Sequence, residues 1–219
     1  MTPPALRHVF VGIPVIGPWV TGGIAQFAES LGHQNGLGRD VHFTLKILSA
    51  PTLISFPVEF MRNRLVAMAL RNPSVTDLWF IDSDTIPSVN AMTLLDLKSD
   101  LAAGVYKIPD GREGEVWSAY EAVGDKYRKM PMLPAAPFEA GGAGTGAMII
   151  SRRVLADPHL RFGPDEDGIP CLFRTVRTPT GECIYTDDLD FCLRARKAGY
   201  TLTVDPRVLF GHVKTRIYE

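Results

Sequence analysis

The chain has 219 residues, 46% of them hydrophobic and 21% charged, a composition that predicts one soluble domain with a substantial core. Its formal net charge of −1 gives no general attraction to nucleic acid or to an anionic membrane. Three cysteines at spacings that match no zinc or redox motif argue against a disulfide framework, so we expect reduced thiols and a cytoplasmic location. The apolar run at residues 9–20 is broken by glycine and proline and is too short for a bilayer, so no transmembrane segment is expected.

The first elements predict a parallel α/β unit. Residues 8–15 form a continuous β-rich run that contains Pro14 near its end, as in a buried strand that enters a loop at the sheet edge. Residues 21–33 place apolar side chains at helical spacing after a capping Thr21, and residues 42–49 predict a second strand. Strand, helix and strand at this spacing indicate a right-handed parallel crossover.

The next helix carries one unusual residue. Ser55 and Pro57 provide a helix start, and the helical pattern continues to about residue 71. Arg62 lies at the edge of the apolar face of this helix. Two alternatives are open for Arg62. In the structural one, its side chain extends to solvent or pairs with an acid of the sheet; in the functional one, it contacts a diphosphate or nucleobase.

The sequence DLWFIDSDTIP, residues 77–87, places two carboxylates at the end of a strand. Residues 78–81 are apolar and rich in β-formers, and Asp82 and Asp84 follow. In an extended chain these two side chains point to the same side, and two hard oxygen ligands suit a divalent cation. Open α/β sheets place ligands at this edge. The alternative is an Asx-type turn that binds nothing.

The chain then alternates once more before its pattern changes. Residues 88–98 predict a helix and residues 101–106 a strand, which completes the pattern of an α/β sandwich with a largely parallel sheet. Residues 109–138 are rich in proline, glycine, charge and aromatic residues, including Trp117, and show no sustained period. Because aromatic residues are uncommon in disordered segments, we expect a binding insert there.

Four closely spaced glycines come before the next strand. Gly141, Gly142, Gly144 and Gly146 precede a strand predicted at residues 147–150. Such glycines either allow the backbone to approach a ligand or form a bulge or tight turn.

The last third contains a strongly marked helix and a late histidine. Residues 186–200 have a capping Thr186, with Asp187 and Asp188 at the positive end of the helix dipole and basic residues at its other end, and helix architecture alone explains these charges. Two short strands, residues 200–204 and 208–210, then precede His212. A single histidine after a strand is more often a surface or core residue than a ligand.

Four segments in a fixed order resemble the GT-A fold nucleotide-sugar glycosyltransferases, in particular small stand-alone bacterial and phage members near family 2. These segments are FIDSDT, GGAGTGAMIISRRV, TDDLDFCLRARKAGY and VDPRVLFGHV, and Arg62-Asn63 resembles the Arg-Asn often found in this family. The resemblance implies an α/β/α sandwich with a mostly parallel sheet. It also implies one domain over residues 1–219, with a nucleotide-binding half (1–108) and an acceptor and metal-completing half (109–219).

The resemblance also implies roles for individual residues. The implied ligands of Mn²⁺ or Mg²⁺ are Asp82, Asp84 and His212. The residues expected to contact the sugar nucleotide are Pro14, Arg62, Asp82, Ser83, Asp84 and Lys214. The expected catalytic base is Asp188, with Asp187 as second choice, because Asp187 replaces the usual Glu of the family. The residues expected to frame sugar and acceptor are Trp117, Gly142, Gly144 and Thr145.

The expected function is metal-dependent transfer of a sugar from a nucleoside-diphosphate sugar, such as a UDP-sugar, to an unidentified acceptor. Glycans, proteins, small molecules and modified phage DNA bases are the acceptor classes that we consider. FIDSDT also fits the nucleophile motif of haloacid-dehalogenase-like phosphatases, although that motif normally opens its fold. A non-catalytic sugar-nucleotide-binding module is the third alternative.

Overall fold

The computed structural model describes residues 6–15, 22–36, 41–49, 57–110, 114–164, 168–169 and 171–213. The predicted cap at Thr21, the helix start at Ser55 and the sugar-nucleotide contact of Lys214 lie outside these residues. The helices are α1 (Gly22–Gly36), α2 (Val58–Arg71), α3 (Arg152–Leu155) and α4 (Asp187–Lys197), with 3₁₀ segments at Ala91–Asp96 and Pro158–Leu160. The strands are β1 (Arg7–Val15), β2 (Val41–Ser49), β3 (Asp77–Ile81), β4 (Thr85–Ile86), β5 (Leu101–Val105), β6 (Lys107–Pro109), β7 (Glu115–Trp117), β8 (Ala119–Val123), β9 (Lys126–Lys129), β10 (Phe138–Glu139), β11 (Gly142–Ala143), β12 (Ala147–Ser151), β13 (Val176–Arg177), β14 (Cys183–Tyr185), β15 (Leu202–Leu209) and β16 (Gly211–His212).

The largest sheet of the described residues has seven strands in the order β10-β15-β5-β12-β3-β1-β2. The pairs β1–β2, β1–β3 and β5–β15 are parallel, whereas β12 is antiparallel to both β3 and β5. Since β10 is antiparallel to β15, five strands run in one direction and β12 and β10 in the other. The prediction of a mostly parallel α/β sandwich is therefore confirmed.

Strand β3 is buried along its whole length and separates two cores. Leu78 and Phe80 pack on one face with side chains of α2 and α4, while Trp79 and Ile81 pack on the other with side chains of α1. Because side chains alternate along a strand, a continuous apolar run is what a strand covered on both faces requires.

Two predicted elements differ from the structure. The helix expected at residues 88–98 is only the 3₁₀ segment Ala91–Asp96, because the side-chain oxygen of Asn90 accepts the Ser88 hydroxyl at 2.7 Å and does not cap a helix. The two strands expected at residues 200–204 and 208–210 are one strand, β15, whose pairing with β5 shifts register between Val204 and Leu209. Such an irregularity accommodates Pro206, which has no N–H to donate to the ladder.

The insert at residues 109–138 contains hairpin strands. β6 pairs with β7, and β8 pairs with β9 on one side and β11 on the other. The insert therefore packs beside the central sheet as small antiparallel sheets, and β11 connects it to the glycine-rich segment. None of the helices in the described ranges combines the length and apolar character that crossing a bilayer requires.

Asn63 of α2 holds a distant loop through its amide. Its Oδ1 accepts the N–H groups of Leu172 and Phe173 at 2.8 and 2.9 Å, and its Nδ2 donates to the Phe173 carbonyl at 2.9 Å. Asn63 is 5% exposed, so these backbone groups have no ready access to water.

We expect Asn63→Ala to destabilise the protein by about 2–3 kcal/mol, because it leaves several buried backbone groups without partners. For a chain of this size the loss lowers the melting temperature by roughly 4–12 °C in a thermal unfolding scan. Gln26→Ala, which shortens an exposed amide side chain of α1, is the control and should change the melting temperature little. Equal melting temperatures for the two variants would contradict this role of Asn63.

Candidate active site

The predicted aspartates follow β3 at the carboxyl edge of the central sheet, where Pro14 near the end of β1 is buried. The sequence predicts an extended segment that directs Asp82 and Asp84 to the same side, but the structure has a turn at these residues. The Thr85 N–H donates to the Asp82 carbonyl at 3.0 Å and the Thr85 hydroxyl donates to the same carbonyl at 2.8 Å, which makes a turn that includes Ser83. The turn sends the two carboxylates to different partners.

Asp84 contacts His212. Strand β16 pairs with β4, which places His212 opposite Thr85, and His212 Nε2 lies 3.2 Å from Asp84 Oδ2. The other ring nitrogen, Nδ1, lies 2.8 Å from the Lys107 carbonyl oxygen, which can only accept a hydrogen bond. A neutral imidazole has one N–H, and here it points at Lys107, so Nε2 presents its lone pair toward the carboxylate. Either a second proton or a metal ion between Nε2 and Asp84 makes that arrangement favourable, and a backbone acceptor on the opposite nitrogen is typical of metal-binding histidines.

Asp82 is held by Arg62. Arg62 Nη2 donates to the two carboxylate oxygens of Asp82 at 2.9 and 3.1 Å, and Nη1 donates to Asp187 Oδ2 at 2.5 Å. Arg62 is 4% exposed. Burial alone disfavours its charge, but the carboxylates of Asp82, Asp187 and Asp188 keep the pKa of Arg62 well above its ordinary value. The ion pair with an acid of the sheet, one of the two alternatives for Arg62, is present.

The two acids at the start of α4 have different environments. Asp187 is 5% exposed and its Oδ2 is ion-paired with Arg62. Asp188 is only partly buried, and its Oδ1 accepts the Thr186 hydroxyl and, at 2.8 Å, the Leu189 N–H. Thr186 occupies the N-cap position but makes no side-chain cap, because its hydroxyl bonds to Asp188 instead. Burial and the charge of Asp187 raise the pKa of Asp188 to about 6.

Tyr106 is a central residue of the site that the sequence did not identify. It is 7% exposed, and its ring lies 5.1 Å from the His212 ring in an edge-on arrangement. Burial, Asp82 and Asp188 together raise the pKa of its phenol far above the ordinary range, so the hydroxyl keeps its proton. Its position at the end of the predicted strand 101–106, at the same sheet edge as the aspartates, was the available signal.

The glycine-rich segment fits tightly around these groups. A Cβ at Gly146 would lie 2.7 Å from Asp82 Oδ2, and a Cβ at Gly144 would lie 2.1 Å from the Tyr106 hydroxyl oxygen. A Cβ at Gly142 would meet the rings and side chains of Tyr127 and Leu189 at 2.8 and 2.9 Å. These glycines let protein side chains approach the backbone closely.

Trp117 and Thr145 are the remaining residues predicted to contact substrate. Trp117 is partly buried, with the Lys107 ammonium 4.0 Å from its ring centroid. Thr145 is fully buried, and its hydroxyl has no hydrogen-bond partner among the described residues. Substrate contacts by Trp117, Gly142, Gly144 and Thr145 stay predictions.

The described ranges contain no group of three or more His, Cys, Asp or Glu side chains placed to hold one metal ion. The implied set of three ligands is therefore divided into the Asp84–His212 pair and Asp82, which faces Arg62. The division arises because the turn at residues 82–85 directs the two aspartates differently and because Arg62, which extends from α2, binds Asp82.

Comparisons with known proteins reveal likeness in structure but not in sequence. No protein-family model matches the chain, and no curated protein does. A197 from STIV superposes with a TM-score of 0.59 and 17% identity, covering 95% of this chain and 86% of that chain. GalNAc-T7, in a crystal structure with UDP, GalNAc and Mn²⁺, superposes with a TM-score of 0.54 and 13% identity, covering 96% of this chain and 44% of that one. The chain thus has a GT-A-type α/β fold.

We expect Arg62→Met to destabilise the protein by about 3–5 kcal/mol, because the change leaves buried carboxylates without their cation. The pKa of Asp188, already raised with Arg62 present, rises further without it. A carboxylate whose pKa is raised in the folded state favours folding at low pH and opposes it as pH rises. In urea unfolding, the loss in free energy of unfolding of Arg62→Met relative to the wild type should therefore be larger at pH 8 than at pH 5.

Arg71→Met is the matched control, since Arg71 lies exposed at the end of the same helix. It should lose little stability at either pH. An equal loss in free energy of unfolding for Arg62→Met at both pH values would contradict the electrostatic role of Arg62.

Proposed function

We propose that the protein is a metal-dependent glycosyltransferase. It moves a sugar from a nucleoside-diphosphate sugar, most simply a UDP-sugar, to a hydroxyl of a glycan or of a modified phage DNA base. The observation that carries this proposal is that the Asp84–His212 pair and the Asp187–Asp188 pair lie at one sheet edge, with Arg62 and Tyr106 between them. One pair suits a metal and the other suits a base.

The donor atoms at Asp84 and His212 fit a divalent cation. A carboxylate oxygen combined with an imidazole nitrogen favours Mn²⁺ over Mg²⁺, which prefers oxygen ligands alone. Two protein ligands leave coordination positions for diphosphate oxygens and water, so a cluster of three side chains is not required. When bound, the cation supplies Lewis-acid stabilisation of the departing diphosphate. The side chain of Asp84 is 49% exposed, so a cation bound there would be accessible to the diphosphate of the donor.

Arg62 supports the site by holding two of its acids, and its expected contact with the sugar nucleotide stays a prediction. It is buried and paired with Asp82 and Asp187, so we assign to it the positioning of both acids. The metal and donor contacts that the family resemblance gives to Asp82 depend on how far its carboxylate, 23% exposed, turns from Arg62. Pro14, Ser83 and Lys214 remain proposed donor contacts.

Asp188 is the better candidate for the base. Asp187 is engaged in the ion pair with Arg62, whereas Oδ2 of Asp188 has no hydrogen-bond partner within the described residues. In an inverting reaction Asp188 accepts the proton of the acceptor hydroxyl while that oxygen forms a bond to the anomeric carbon. The bond from that carbon to the diphosphate oxygen breaks with its electron pair, and the nucleoside diphosphate leaves.

The structural comparisons support this proposal at the level of fold. GalNAc-T7 was crystallised with UDP, GalNAc and Mn²⁺, and this chain has a GT-A-type fold like it. The division into residues 1–108 for the nucleotide and 109–219 for the acceptor and metal is part of the same proposal and rests on the sequence resemblance.

A hydrolysis assay tests the proposal against its rivals. Mn²⁺-dependent breakdown of a UDP-sugar supports a glycosyltransferase. Metal-dependent turnover of a simple phosphomonoester would instead support the phosphatase. Binding of a UDP-sugar without any turnover, even with acceptors added, would support the non-catalytic binding module.

We expect Asp84→Ala and His212→Ala each to weaken Mn²⁺-dependent UDP binding by at least about tenfold. Mutation of a residue that only hydrogen-bonds to a metal ligand already causes a loss of that size. Isothermal titration calorimetry with and without Mn²⁺ measures this. Asp96→Ala, at an exposed acid on the 3₁₀ segment, is the control and should bind like the wild type. Unchanged metal-dependent binding in both site variants would rule out this metal site.

We expect Asp188→Asn to lose about 10²–10⁴ in transfer rate, because an amide cannot accept the proton. It should melt near the wild-type temperature, since the helix-dipole contribution is only about 0.3–1 kcal/mol. In the wild type, kcat/KM should rise as pH increases through about 6, where Asp188 ionises, and level off above it.

The companion variant Asp187→Asn separates the two acids. Its main effect should be a lower melting temperature, because it breaks the buried pair with Arg62. If Asp187→Asn is inactive and Asp188→Asn transfers sugar at the wild-type rate, the assignment of the base is wrong.

A further inference from the structure

A groove lies on the hairpin of β8 and β9, away from the acids of the site. A pocket of about 330 Å³ opens between this hairpin, β10 and the end of α4. The side chains that define it are Tyr120, Glu121, Met130, Phe138, Glu139 and Arg196. A second pocket of about 360 Å³ shares Glu121 and Met130 and extends to Met132. We refer to the two together as the hairpin groove.

The lining of the hairpin groove suits a polyhydroxylated ligand. Tyr120 and Phe138 provide ring surfaces, against which the C–H faces of a sugar ring pack. Glu139, and Oε1 of Glu121, which the bonds from Arg128 to Oε2 leave available, provide carboxylate oxygens that accept hydrogen bonds from hydroxyl groups. A volume of this size is typical of a site for a small organic ligand.

The cations near the groove are already bonded to the protein. Arg128 pairs with Glu121, Lys129 Nζ donates to the Asp110 carbonyl at 2.9 Å, and Arg196 Nη2 donates to the Gly124 carbonyl at 2.8 Å. A polyanion such as DNA requires cations that face its phosphates. The groove is lined by two carboxylates and three cations, so its charges nearly balance and it favours a neutral ligand over nucleic acid.

The groove and the reaction centre lie at opposite ends of one helix. Asp188 is in the first turn of α4 and Arg196 in its last, eight residues apart, which is about 12 Å along the axis. Tyr120 lines the groove and also lies near Asp188. Burial, and then the charge of Asp188, raise the pKa of the Tyr120 phenol to about 12. A ligand in the groove thus reaches the base only if it is extended.

We propose that the hairpin groove binds a neutral oligosaccharide several sugar residues away from the acceptor hydroxyl. The role as an acceptor subsite rests on the proposed glycosyltransferase function, whereas the binding itself does not. The subsite selects an oligomeric glycan as acceptor over a monosaccharide and over a DNA base.

Binding is tested first, without donor or metal. The wild-type protein is applied to an array of neutral glycans, and hits are titrated as free hexasaccharides by NMR, with a twelve-nucleotide single-stranded DNA as comparison. We expect at least one neutral hexasaccharide to bind, and Tyr120→Ala and Glu139→Gln to weaken it by about tenfold and about fivefold. Glu182→Gln, at an exposed acid of the β13–β14 hairpin, should bind normally.

Kinetics then place the groove in the reaction. Glu139→Gln should raise KM for the hexasaccharide and leave kcat and metal-dependent UDP-sugar hydrolysis unchanged, as expected for binding that is equal in ground and transition states. Absence of any neutral glycan binding, or DNA binding that Tyr120→Ala removes, overturns the groove proposal. Absence of UDP-sugar turnover with glycan binding intact overturns the proposed function and leaves the binding site standing.

Discussion

The site depends on one buried guanidinium. Arg62 joins the end of β3 to the start of α4, two segments more than a hundred residues apart in sequence, and it is the cation among three neighbouring carboxylates. Without it, Asp82, Asp187 and Asp188 would repel one another in a poorly hydrated space. With it, Asp82 and Asp187 are both paired with one cation, and Asp188 is left partly exposed with a raised proton affinity. One side chain therefore fixes the geometry of the edge and separates the properties of two adjacent acids.

Close packing around this ion pair explains the residues that surround it. Gly146 and Gly144 leave room for the Asp82 carboxylate and the Tyr106 phenol, so the segment before β12 can run directly against the site. Tyr106 in turn lies against His212, which connects the acids held by Arg62 with the Asp84 pair. Asn63, next to Arg62 in sequence, fixes the loop at residues 172–173, so α2 positions two segments of the second half of the chain.

The sequence predicts the framework well because its signals are local. The apolar run of β3, the alternation of early strands and helices and the charge pattern of α4 each reflect burial or the helix dipole within a few residues. The 3₁₀ segment at Ala91–Asp96 was missed because side-chain competition between Ser88 and Asn90 decides it. The site was predicted only in part: the acids and His212 could be named, but their pairing depends on the turn at residues 82–85 and on Arg62, which act through three-dimensional contacts. Tyr106 carries no motif and becomes visible only through its neighbours.

The pairing of β16 with β4 has a consequence for how the protein is made. Asp84 and His212 are 128 positions apart. At a synthesis rate of about 5–20 residues per second, the histidine emerges roughly 6–26 s after the aspartate. During that interval the early strands must fold without the contact to His212. Closing so long a loop is entropically costly, so any ion that later bridges Asp84 and His212 would act as a cross-link that secures β16 to the first half of the chain.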